Sequence, residues 1–328
     1  MEFDTDRIRS LMTYRYDPGT TSPSPRYHHL EEFRDKEFRD DDVAELFHEN
    51  TKYTENSHRS DLSTISLFVT DETMQLVQSE RRDDYPGRET VELPEPEPEL
   101  GVDLGTALSR RRSVRAYDGE PIGLQELSTL LGLALGTNGP LSPASPNEGR
   151  TYPSGGGLYP VETSLAVING GPDLDAGLYY YAPEEHVLRV LDGDVTEAID
   201  EAFEPPGEMD PEDSAVCFLF TAAFWRTYAK YGPRGYRFIL QESGHMCQNL
   251  QLVADAMGYG SVPLGAVYED RINDLLSLDG VDEGLVYTAF VGSPQRAREN
   301  PEGNRSAEGT RSAEGDQTAA RPGGDERV

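Results

Sequence analysis

Three observations predict an α+β fold. Stretches with strand character and stretches with helix character intermix without the regular alternation of a doubly wound sheet. One long amphipathic helix follows the segment Tyr228 to Tyr231. In it Phe238, Ile239, Met246, Leu250, Val253, Ala254 and Met257 recur at spacings of three, four or seven and so stripe one face. A continuous apolar run, Ala215 to Ala222, reads as a buried core strand.

The remaining elements follow in chain order. Residues 1 to 100 form an N-terminal adjunct. Tyr14 to Arg26 is rich in Pro, Ser, Thr and Gly and reads as loop. Asp41 to Tyr53 predicts a short helix with Val43, Leu46 and Phe47 on one side. Ser79 to Leu100 is charged and punctuated by proline (ELPEPEPEL), which predicts an extended linker and a boundary near residue 100. The compact domain spans 101–295. Asp103 caps a helix carrying Leu104, Ala107 and Leu108, which runs into Arg110-Arg111-Arg112-Ser113-Val114-Arg115. Leu124 to Leu135 is a second helix, Gly136 to Gly157 a Pro/Ser/Gly loop, and Thr163 to Ile168 a buried strand. Gly177–Tyr181 and Val187–Leu191 pair as a hairpin about a Pro-Glu-Glu turn. Asp194 to Ala202 is a short helix. The long helix ends at Gly258 and Gly260, because glycine takes the left-handed cap conformation without steric cost. Arg271–Leu276 and Leu285–Val291 add a helix and a last strand. Residues 296–328 repeat RSAEG twice and carry too little apolar surface to order themselves, so a disordered acidic, Gly-rich tail is expected.

Composition narrows the function. The 328 residues carry 60 acidic against 29 basic side chains, a net charge of −31. Such a chain repels phosphate backbones, which argues against a nucleic-acid binder. Lysine is almost absent (Lys36, Lys52, Lys230), and arginine supplies the other basic groups. Abundant carboxylates with little lysine are expected of a protein kept soluble in molar salt, where the Debye length is about 3 Å; a halophilic archaeal source follows as an inference. Cys217 and Cys247 lie in apolar runs and read as inert core thiols. The longest apolar run is too short to span a bilayer, and the N-terminal residues carry no signal-peptide pattern, so a soluble cytoplasmic protein is expected.

Four stretches are candidates for chemistry. The Arg110–Arg115 cluster offers planar bidentate donors to a phosphate, although a solvated basic turn has the same pattern. Tyr152-Pro-Ser-Gly-Gly-Gly-Leu-Tyr-Pro160 lets backbone N–H groups approach a flat ligand, yet it lacks the spacing of a Walker or dinucleotide loop. Lys230-Tyr231, in a Gly/Pro-rich loop, has an acid/base reading: a desolvated lysine loses basicity and takes a proton near neutrality, with a phenol beside it. An exposed surface lysine is the plainer alternative. Glu242 and His245 resemble half of a carboxylate-bridged metal site, but such a site needs a matching Glu-x-x-His and further carboxylates from other helices of a bundle, so no metal is expected and His245 reads as a core or interface histidine.

Taken together and in this order, SRRRSVRAYDGEPIGLQELSTLL, RTYPSGGGLYPVET, KYGPRGYRFILQESGHMCQNLQLVADAMGYGSVPLGAVYED and YTAFVGSP resemble the nitroreductase superfamily, in particular its SagB-type branch of FMN-dependent dehydrogenases. FHENTKYT, Phe47 to Thr54, is similar to an element ahead of the domain in that branch. The resemblance implies a central mixed or antiparallel sheet flanked by helices, and a homodimer with the long helix at its centre and FMN at the interface. It implies that Arg111 and Ser113 meet the FMN phosphate and ribityl chain, and that Arg115 approaches the pyrimidine edge. Ser154, Gly155 and Gly156 would line the flavin, Leu264 and Gly265 would face N5, and Arg296 or Arg298 would complete the phosphate site. It further implies that Lys230 and Tyr231 are catalytic in oxidising thiazoline or oxazoline rings to thiazoles or oxazoles, with proton removal from one carbon and hydride passing from its neighbour to flavin N5. The substrate would be a small molecule or a modified peptide, with a peptide cyclodehydratase as partner. An NAD(P)H-dependent nitroreductase or flavin reductase, and a non-enzymatic flavin-binding protein, are the rival readings.

Overall fold

In the computed structural model, residues 43–53, 65, 66, 68, 71, 85, 87–141, 148–204 and 209–295 are described. The expected loop at Tyr14–Arg26 and the tail at 296–328 lie outside them. Helix α1 (Val43–Asn50) precedes strand β1 (Thr90–Glu92), and α2 (Leu104–Arg110) and α3 (Leu124–Leu135) follow. A small hairpin, β2 (Thr137–Pro140) with β3 (Glu148–Arg150), lies inside the stretch expected to be loop. Then come β4 (Val161–Val167), β5 (Gly177–Ala182), β6 (Val187–Asp192), α4 (Thr196–Ala202) and β7 (Val216–Ala223). The chain closes with α5 (Phe224–Tyr231), α6 (Gly235–Met257), β8 (Gly260–Leu264), α7 (Glu269–Leu275) and β9 (Glu283–Gly292).

Seven strands form one sheet in the order β1-β6-β5-β4-β7-β9-β8, every pair antiparallel. The α+β class therefore stands, with an antiparallel sheet. β7 is buried along its whole length because β4 and β9 flank it, Val216 pairing with Val167 on one side and Val291 on the other. Its side chains alternate between two cores with the period of a strand. Phe218 and Phe220 face Leu127, Leu130 and Leu131 of α3 and Ile239, Met246 and Leu250 of α6. Cys217 and Leu219 face Ile199 of α4, Ile272 of α7 and Phe290. Each of the large apolar side chains so buried contributes roughly 1.5–3 kcal/mol. Both cysteines are free and buried, and burial pushes the Cys247 thiol up to about 12.

Capping follows the sequence closely. Thr106 N donates to Asp103 Oδ1 at 3.0 Å at the start of α2. Gly258 ends α6 at φ 89°, the left-handed conformation that glycine supplies freely. Two elements differ from expectation. The stretch read as linker enters the fold, since Val91 pairs with Leu188 at the sheet edge and Glu97 N donates to Thr129 Oγ1 at 3.1 Å. Proline is compatible with this placement because the strip lies at an edge, where few ladder bonds are demanded. Lys230 and Tyr231 lie in the last turn of helix α5, not in a loop; Gly232, at φ 57°, breaks the chain just after them. Among the described residues no helix is long and apolar enough to cross a membrane.

Candidate active site

Lys230 is 7% exposed, so the surface-lysine alternative does not hold. Burial lowers its pKa, and among the described residues no carboxylate pairs with it. Its ammonium nitrogen lies 5.5 Å from the Tyr231 ring centroid. Both side chains converge on the triple-glycine loop. Gly156 has φ +73°, and a Cβ placed there would overlap Tyr231 Oη and come 3.0 Å from Lys230 Nζ. Glycine is required here twice, by conformation and by the close approach of the two side chains. Phe238 of α6 stands edge-on to Tyr231 at 4.8 Å and backs the same loop, a Cβ on Gly155 falling 3.1 Å from its ring. Burial raises the Tyr231 phenol, and Tyr53 adds to the shift.

The loop is held from behind by buried polar groups. Ser154 Oγ accepts from Tyr159 N at 2.9 Å, and its hydroxyl is the main group opposing the upward push of burial on the carboxyl of Glu242 of α6. Val161 N donates to Glu242 Oε1 at 3.3 Å, and Glu242 Oε2 is left without a close partner among the described residues. Glu242 is 1% exposed, and burial pushes its carboxyl up to about 8. Nearby Glu162 goes the other way: burial would raise it, but the Arg226 guanidinium, 2.8 Å from Oε1, holds it below the ordinary carboxylate value. Arg226 also donates to Tyr159 O at 2.6 Å. Arg226, with Arg150 and the Tyr180 hydroxyl, thus favours the ionised form of one buried carboxyl, while burial favours the neutral form of the other. Sequence reasoning assigned Glu242 only a metal role and missed Arg226 and Glu162. Their signal was polar residues set inside apolar runs: Glu162 in β4 and Arg226 just after β7.

The basic cluster sits at the other end of α6. Arg110 Nε is 2.7 Å from Asp255 Oδ2, and Val114 N donates to Ser261 O at 3.0 Å, which brings Ser113 beside β8. Arg112 is occupied by the carbonyls of Ser109 and Arg111. Arg111 is half-buried, Ser113 and Arg115 are exposed, and neither the Arg111 nor the Arg115 side chain bonds to another described residue. Leu264 ends β8 with its carbonyl taken by Thr288, and exposed Gly265 follows. Arg296 and Arg298 lie outside the described residues. Within one chain the structure therefore assembles two groups: Lys230, Tyr231, Ser154, Gly155 and Gly156 at one end of α6, and Arg111, Ser113 and Arg115 near the other. Phe238 and Asp255 are 17 helical residues apart, about 25 Å at 1.5 Å per residue. His245 is exposed on α6, and among the described residues no group of three or more His, Cys, Asp or Glu is placed to hold a metal ion.

The antiparallel sheet flanked by helices thus carries a glycine loop facing a buried Lys-Tyr pair near one end of α6 and an arginine cluster near the other. The chain belongs to the Nitroreductase family, whose pattern matches residues 108–293. It is 33% identical over 58% of its length to MJ1384 of Methanocaldococcus jannaschii, a protein provisionally named a nitroreductase, of which 91% is covered. It is 26% identical to the Microcin B17-processing protein McbC of Escherichia coli and 28% identical to the Trifolitoxin-processing protein TfxB of Rhizobium leguminosarum. Those matches cover 45% and 43% of this chain, and it spans only 57% of McbC and 39% of TfxB. Among solved structures, a provisionally named nitroreductase of Anabaena variabilis superposes with a TM-score of 0.54 at 26% identity, over 65% of this chain and 43% of that one. One from Ralstonia eutropha gives 0.52 at 25% identity, over 63% of this chain and 90% of that one.

Proposed function

We propose that this protein is a SagB-type FMN-dependent dehydrogenase that oxidises thiazoline or oxazoline rings to thiazoles or oxazoles. The observation that carries the reading is the convergence of Lys230 Nζ and Tyr231 Oη on Gly156. A buried amine with no carboxylate partner among the described residues is poised to take a proton, and the phenol beside it orients or donates. The residues present fit FMN: Arg111 and Arg115 are cations without a partner among the described residues, in a chain of net charge −31, which suits a phosphate and an electron-rich ring edge. Ser113 beside β8, Ser154, Gly155 and Gly156 of the loop, and Leu264 and Gly265 complete the proposed set. When bound, FMN supplies the two-electron acceptor for the hydride that leaves the substrate. The work of the chain is then to hold the ring against the glycine loop and to remove the proton from the adjacent carbon through Lys230.

Phe238, beside the glycine loop, and Asp255, beside the basic cluster, are about 25 Å apart along α6. A homodimer in which each flavin is gripped by both copies reconciles that spacing with one site, and we propose it for that reason. The names of McbC and TfxB, which process microcin B17 and trifolitoxin, favour a modified peptide as substrate; we propose a cyclodehydratase as the partner that forms the azoline beforehand. The lysine-poor acidic composition favours a halophilic source. A second reading, an NAD(P)H-dependent nitroreductase, is favoured by the likeness to MJ1384, most of which this chain covers. The test is to load the protein with FMN and incubate it with an azoline-bearing peptide, then with NAD(P)H and a nitroarene. Loss of two hydrogens from the peptide, abolished in Lys230→Ala with flavin still bound, is the expected result. Turnover of nitroarene alone, indifferent to Lys230→Ala, would establish the second reading instead.

A further inference from the structure

The N-terminal segment around α1 does not stand apart from the site. Thr51 is 4% exposed, its N–H donates to Phe47 O at 3.1 Å, and its hydroxyl donates to the same carbonyl at 2.6 Å. Two arginines from the start of α6 hold this turn. Arg237 donates from Nε to Thr51 Oγ1 and from Nη2 to His48 O, both at 2.7 Å. Arg234 donates from Nη1 to Thr51 O at 2.7 Å. Carbonyls at a helix C-terminus lack intrahelical donors and carry partial negative charge, so guanidinium groups suit them doubly. Aromatic contacts close the clasp. Phe47 meets Tyr236 edge-on at 5.6 Å, and the Arg234 guanidinium lies 4.2 Å from the Tyr53 ring centroid.

The clasp reaches Tyr231 through two contacts. The Arg234 guanidinium is also 5.8 Å from the Phe238 ring, and Phe238 is the residue that stands against Tyr231 and backs Gly155. We propose that the Phe47–Tyr53 segment, clasped by Arg234 and Arg237, is a positioning strap that fixes Phe238 and through it the Tyr231 phenol over the glycine loop. The proposal rests on the reading above that Tyr231 is catalytic. Thr51, Arg234 and Arg237 are positioning residues, acting through Phe238. The strap neither binds the flavin nor removes a proton.

The test uses the full FMN-loaded chain and the variants Thr51→Val, which removes the hydroxyl acceptor, Thr51→Ser, which keeps it, and Arg237→Met, which removes the guanidinium. Flavin content, thermal midpoint, tyrosine nitration mapped by peptide mass, and kcat and KM on an azoline peptide are measured together. Thr51→Val and Arg237→Met are expected to keep flavin and thermal midpoint and to show several-fold faster nitration at Tyr231. They should lose about tenfold in kcat with KM little changed, since misplacement of a reacting group is felt mainly in the chemical step. Thr51→Ser should behave as wild type. Unchanged Tyr231 nitration in both variants would overturn the strap, as would joint loss of flavin and midpoint, which marks a merely structural contact. Because nitration does not depend on the substrate, failure of the wild type on azolines would sink the substrate reading and leave the strap decided by nitration alone.

Discussion

At the scale of single residues, two titrating side chains with opposite surroundings set the pH behaviour. Lys230 is buried without a carboxylate partner among the described residues, so its ammonium is disfavoured and its pKa is lowered. Its neutral form is the one that takes a proton, and turnover should fall as pH drops through that lowered pKa. Lys230→Ala should reduce kcat by about 10²–10⁴-fold with flavin still bound, the usual worth of a general base, read from a pH–rate series on the loaded enzyme. Glu242 is the reverse case, with its folded value raised to about 8. Between an unfolded carboxyl near 4.5 and that folded value, the native state holds a proton that the unfolded chain has lost. Its contribution to stability is thus fully present below the unfolded pKa and declines as pH rises to about 8. Glu242→Gln keeps the hydrogen bonds available to a neutral group and removes the titration. Relative to wild type it should gain on the order of a few kcal/mol between pH 5 and 8, measured by denaturant unfolding at each pH. A parallel decline in the two proteins would refute the assignment of a neutral Glu242.

At the scale of elements, the parts legible in the sequence are those whose signal is local. Leu124–Leu135 matches α3 residue for residue, and Asp103 and Gly258 cap the helices expected of them, because periodicity and caps are written into neighbouring residues. The stretches that depart from expectation owe their structure to distant partners. β8 begins at Gly260, read from the sequence only as the end of the long helix, and becomes a strand because β9 offers it a ladder from Gly292 to Thr288. Helix α5 hides its period behind Trp225, Tyr228 and buried Arg226, whose partner Glu162 is 64 residues away. The Lys-Tyr pair is therefore legible by residue type while its setting is not: a helix end facing the glycine loop is a tertiary fact. That loop yields a prediction of its own. Gly156→Ala places a methyl group against Tyr231 Oη at a φ of +73°, where a non-glycine residue costs roughly 1–2 kcal/mol. The expected outcome is a slightly lowered thermal midpoint and a larger loss of kcat, because the methyl group occupies the ground on which Lys230 and Tyr231 converge. A variant with the lower midpoint but full kcat would show that the convergence has no part in turnover.

At the scale of the whole molecule, salt weakens attraction and repulsion together, and the balance between them sets the sign of its effect. The exposed ion pairs among the described residues, Arg271–Glu201, Lys52–Glu49, Arg110–Asp255 and Arg189–Glu185 among them, contribute little and are weakened on screening. The pair Arg226–Glu162 is buried and is screened far less. The clasp of Arg234 and Arg237 on backbone carbonyls involves no ionised acceptor. Against these small losses stands the mutual repulsion of 60 carboxylates balanced by only 29 basic groups. That repulsion grows with compaction and is relieved when the Debye length falls from about 10 Å at 0.1 M to about 3 Å at 1 M. Repulsion outweighs the few exposed attractions, so the thermal midpoint should rise between 0.1 M and molar potassium chloride, and most of the gain should come at the low end, where the screening length changes fastest. Calorimetry across that series, with the uncharged stabiliser sucrose as control, separates screening from general exclusion of solute. A midpoint that falls with salt would mean that the surface ion pairs outweigh the repulsion, and the proposed halophilic source would lose its support.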